Sequence, residues 1–112
     1  MKRDDAYVHH IHDAITRVLD YTREGRDAFM QSTLIQDAVI RNLEIVGEAA
    51  KGLSAEFRRR HPTIPWSSMT GMRDVLIHGY MGVDLDIVWD VVANRLLPVQ
   101  QELQKLVGTR QS

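Results

Sequence analysis

The sequence has no cysteine among its 112 residues. That excludes a disulfide framework, thiolate metal sites and cysteine nucleophiles, and it fits a reducing compartment. Only three prolines are present. No apolar run approaches the length of a membrane span. No apolar stretch follows the charged opening residues Met1 to Asp5, so no secretory leader is visible and the cytoplasm is the expected location. A basic excess is missing too: 14 Lys and Arg face 15 Asp and Glu, a formal net charge of -1. Dedicated nucleic-acid binders usually carry such an excess. Any contact with RNA would therefore need a local basic patch, or one assembled by oligomerisation. β-Branched alternation is scarce, and there are no internal repeats or low-complexity tracts.

What is present is a chain with 44% hydrophobic and 26% charged residues, enough for a core and unlike a disordered segment. The length suits one domain, with its core from about residue 4 to 107. Helical periodicity dominates, and the pattern predicts an all-α antiparallel helical bundle of four main helices and two short ones. The first helix is expected from about Asp4 to Arg23, with Val8, Ile11, Ile15, Val18, Leu19 and Thr22 on its apolar stripe. Gly25 stops it, and a short turn follows around Arg26 to Met30. Ser32 or Thr33 can cap a second long helix running to about Gly52. Its core face reads Ile35, Ala38, Val39, Asn42, Ile45, Val46, Ala49 and Leu53. Leu34, Ile40, Leu43 and Gly47 fall off that stripe, which points to a second partner, a dimer contact being one candidate.

Ser54 opens a short helix that ends in Arg58-Arg59-Arg60-His61, and Pro62 closes it. Pro65 is placed to start the next helix, which continues through Trp66, Met69, Met72, Val75 and Leu76 towards Gly79 and Gly82. Asp84 caps the last helix, whose apolar series runs from Leu85 to Leu106 with Pro98 inside it. A kink is expected at Pro98.

The segment richest in chemistry is Gly71-Met72-Arg73-Asp74-Val75-Leu76-Ile77-His78-Gly79-Tyr80. Asp74 and His78 are four apart and share a helix face, so the carboxylate can fix the imidazole tautomer. Arg73 and His78 are five apart and point roughly 140° away from each other on an ideal helix. One helix converges them poorly, whereas two copies related by a twofold axis could bring both types into one cleft. Histidine can take the proton from a ribose 2′-hydroxyl, and arginine's planar fork suits the charge that gathers on the phosphorus oxygens. The same spacing is also met by a helix-terminal imidazolium beside a surface Arg–Asp pair.

The order Arg73-x4-His78-x-Tyr80 resembles the Arg-x4-His-x-Tyr motif of HepT-like toxins, a branch of the HEPN superfamily. The segment Ile35 to Ala50, the approach Ile64-Pro65-Trp66 with Gly71-Met72-Arg73, and the exit Tyr80 to Asp84 into Ile87-Val88-Trp89 are similar to that family in the same order. The resemblance spans about Asp4 to Leu106. It implies a homodimer with a composite cleft and a metal-independent endoribonuclease that acts as the toxin of a toxin–antitoxin pair, with Arg73 and His78 catalytic. It also implies an antitoxin, a minimal nucleotidyltransferase that uses ATP to place AMP on Tyr80. The chain itself needs no cofactor and no metal on this reading. A non-catalytic helical partner of a nucleotidyltransferase is the alternative.

Asp74 and Glu48 are candidate supporting residues; Glu48 either reaches Arg73 from the second long helix or, equally well, is a surface carboxylate pairing with Arg41 or Lys51 on its own helix. Arg58, Arg59 and Arg60 are the candidate RNA-binding run, equally a solvated helix end or a docking face for the antitoxin. His9, His10 and His12 have spacings that permit metal ligation, but no third ligand is evident and an exposed polar face is the simpler account. Trp66 and Trp89 are expected to anchor the core.

Overall fold

The computed structural model describes residues 2–77 and 84–111, without the side chains of Lys2, Arg73, Val75, Ile77, Thr109, Arg110 and Gln111. The described residues form seven helices and no strand: α1 (Lys2–Tyr21), α2 (Arg26–Gln31), α3 (Thr33–Gly52), α4 (Ala55–Arg60), α5 (Trp66–Ile77), α6 (Leu85–Asn94) and α7 (Leu96–Gln111). The all-α bundle expected from the periodicity is the observed fold.

The stripe of α1 is buried at Val8, Ile11, Ile15 and Val18, and it begins a turn earlier than the apolar pattern, at the buried Asp4. Thr22 closes it, its hydroxyl donating to the Val18 carbonyl at 2.8 Å. The backbone then turns through Gly25, whose φ of 97° lies in the left-handed region where glycine meets no steric cost. The expected turn at Arg26 to Met30 is a short helix, α2, which buries Phe29.

α3 starts where Ser32 predicts, the serine side chain accepting from the Ile35 N–H. It packs against both α1 and α5. That explains a departure from the single-stripe reading. Leu43 and Gly47 lie off the stripe yet are buried, because a helix between two neighbours needs a wider apolar face. Leu34 does stay 80% exposed.

The directions of α1, α3 and α7 follow from the polar cross-links. Asp4 of α1 meets Ser54, just past α3, and Arg17 further along α1 meets Asn42, earlier in α3. α1 and α3 are thus antiparallel. His12 pairs with Gln104 and Thr16 with Gln100, so α7 also runs antiparallel to α1. These contacts correct the reading of the histidine face as solvated. His12 is half-buried, its Nε2 2.7 Å from Gln104 Oε1, and His9 lines a crevice with His61, Leu106 and Val107.

The last helix is not one kinked rod. It is two helices, and the break falls at Arg95, three positions before Pro98. The physical reason is the direction in which proline acts. Pro98 has no N–H for the Asn94 carbonyl, and its ring clashes with that same carbonyl one turn upstream. The disruption therefore appears before the proline, and Pro98 itself sits in the first turn of α7, where it is tolerated.

Candidate functional site

The candidate site is built on α5. Trp66, Met69 and Leu76 are buried and Met72 is partly buried, so a three- and four-residue spacing fixes this helix on the core. Each such side chain contributes roughly 1.5–3 kcal/mol through burial. Leu76 thereby anchors the motif as expected, while the side chains of Val75 and Ile77 lie outside the described residues. Arg73 is helical within α5, its side chain likewise outside them, and Asp74 next to it is exposed. His78, Gly79 and Tyr80 lie outside the described residues. The expected pairings of His78 with Arg73 and Asp74 therefore lie there too.

Both flanks of the motif are held, by the Asp84 cap that the sequence predicts and by tertiary contacts that residue spacing did not reveal. Before it, the Trp66 indole Nε1 donates to the His61 carbonyl at 2.9 Å and its ring lies edge-on to Phe57 at 5.9 Å. This locks the start of α5 against α4. After it, Asp84 caps α6 by accepting from the Asp86 and Ile87 N–H groups at 3.0 and 3.4 Å. The Arg26 guanidinium donates to Asp86 at 2.8 Å, and Trp89 packs on Phe29 with centroids 5.4 Å apart. Both tryptophans act as core anchors, and α2 supplies the platform for the second.

The other sequence candidates separate. Glu48 is an exposed residue of α3, the helix that packs on α5. The basic run splits: Arg60 lies over the Phe57 ring at 5.8 Å, whereas Arg58 and Arg59 line a crevice against the start of α5. Among the described residues, no cluster of three or more His, Cys, Asp or Glu side chains is arranged to hold a metal. No described helix is long and apolar enough to cross a membrane. A larger cavity of about 780 Å³ opens between α5 and the α6–α7 junction, with Met69, Met72, Leu96 and Val99 in its walls.

The all-helical bundle, with Arg73 on α5 and His78 and Tyr80 following it in the sequence, fits the HEPN-like architecture expected above. Comparison with known proteins narrows this. The family described as "Ribonuclease HepT-like" matches residues 11–106, and the chain belongs to that family. It is 42% identical over 108 residues to the "Probable ribonuclease HepT" of Thermococcus cleftensis, covering 95% of this chain and 98% of that one. It is 41% identical over 109 residues to a "Gamma-glutamylcyclotransferase and putative RNase" of Methanocaldococcus jannaschii, covering 96% of this chain but only 49% of the relative. The chain thus spans about half of that longer protein. No solved structure matches it.

Proposed function

We propose that this chain is an RNA-cleaving toxin whose catalytic pair is Arg73 and His78, acting in a cleft shared by two copies. The observation that carries the reading is the Arg73-x4-His78-x-Tyr80 order at the end of α5, in a chain of the HepT-like ribonuclease family. His78 takes the proton from a ribose 2′-hydroxyl as its oxygen attacks the adjacent phosphorus. The bond from phosphorus to the leaving 5′-oxygen breaks, and that oxygen takes a proton from water, while the proton held by His78 passes to solvent. The products are a 2′,3′-cyclic phosphate and a 5′-hydroxyl. Arg73 stabilises the negative charge on the non-bridging oxygens, so the step needs no metal. Asp74 and Glu48 serve as supporting groups, orienting His78 and Arg73 respectively.

The twofold arrangement answers the spacing problem, since residues five apart diverge on one helix and can converge across two. A minimal nucleotidyltransferase antitoxin neutralises the toxin by moving AMP from ATP to the Tyr80 hydroxyl, with pyrophosphate leaving. The added phosphate places bulk and negative charge two positions from His78, opposing RNA phosphate.

Purified Arg73→Ala and His78→Ala proteins test this on single-stranded RNA in the presence of a chelator. Each should lose at least about a hundredfold in cleavage rate, with the mass in solution and the melting temperature unchanged. Cleavage retained by either variant sinks the assignment. Mass spectrometry of the Tyr80 peptide after co-expression with the nucleotidyltransferase should show an added AMP group, and none in Tyr80→Phe.

A further inference from the structure

We draw no further inference here: the strongest candidate, the apolar cavity between α5 and the α6–α7 junction whose lining cations Arg95 and Lys105 are already paired with Asp90 and Glu102, carries nothing because no feature of the structure shows what covers it.

Discussion

Asp4 and Ser54 are fifty positions apart and share two hydrogen bonds: one Asp4 oxygen accepts from the Ser54 backbone N–H and the other from its hydroxyl, each at 2.9 Å. Ser54 in turn accepts from the Phe57 N–H at 3.1 Å and caps α4. One buried carboxylate therefore ties the first turn of α1 to the start of the helix that carries the arginines. Burial opposes its charge and would raise its pKa, but the two Ser54 bonds outweigh this, helped by the Arg60 charge, and the pKa is lowered below its ordinary value near 3.8.

The sign of the pH effect follows. A carboxyl with a lowered folded pKa contributes stability that is complete above the unfolded value and is lost as pH falls through the folded one. Asp4→Asn should be less stable than wild type by about 1–3 kcal/mol at neutral pH. The gap should close as pH drops below about 4. Thermal melts of both proteins across that range check it. A gap constant with pH would show that the ionised form is not what stabilises.

Gly52 ends α3 against the ring of Tyr7. A Cβ placed there would stand 2.5–2.8 Å from three Tyr7 ring atoms, closer than real side chains pack. Gly52→Ala should cost about 1–3 kcal/mol through overpacking. In a Tyr7→Leu background the added cost should largely vanish, and a double-mutant cycle measures that coupling.

Asp84→Ala should lower stability by about 1 kcal/mol, the usual worth of a helix N-cap, and Asp84→Asn should restore most of it. Chemical denaturation with an unchanged m value is the check. The Arg26–Asp86 pair is more than half exposed on both sides, so Arg26→Ala alone should cost less than the cap.

Trp66→Phe keeps the ring but removes the bond to His61. The His61 carbonyl still accepts from the Ile64 N–H at 3.3 Å, so no buried acceptor is stranded. A loss near 1 kcal/mol is expected. Faster amide exchange over α4 should accompany it, because the bond joins that helix to α5.

Much of the fold and the site is legible in local sequence. The caps at Ser32, Ser54 and Asp84 sit where short polar residues precede apolar periodicity, and each one caps. The Arg73-x4-His78-x-Tyr80 order is a matter of residue types and spacing alone. What local pattern cannot reveal depends on distant partners. Asp4 reads as a solvated charge until Ser54 is beside it. Leu43 reads as off-stripe until α3 has neighbours on two sides. The arginines at 58, 59 and 60 look equivalent in sequence, yet packing sends two to one crevice and one to an aromatic ring. Sequence places the break at Pro98 and not at Arg95, because the residue that causes it and the bond that fails are a turn apart.

That break has a consequence for shape. A straight rod from Leu85 to Gln111 would be about 40 Å long, as long as the whole molecule, which measures 40 × 30 × 19 Å. It could lie along one wall and leave another bare. Interrupted at Arg95, the same stretch is two shorter arms with separate duties. The first seats Trp89 on Phe29, and the second runs along α1.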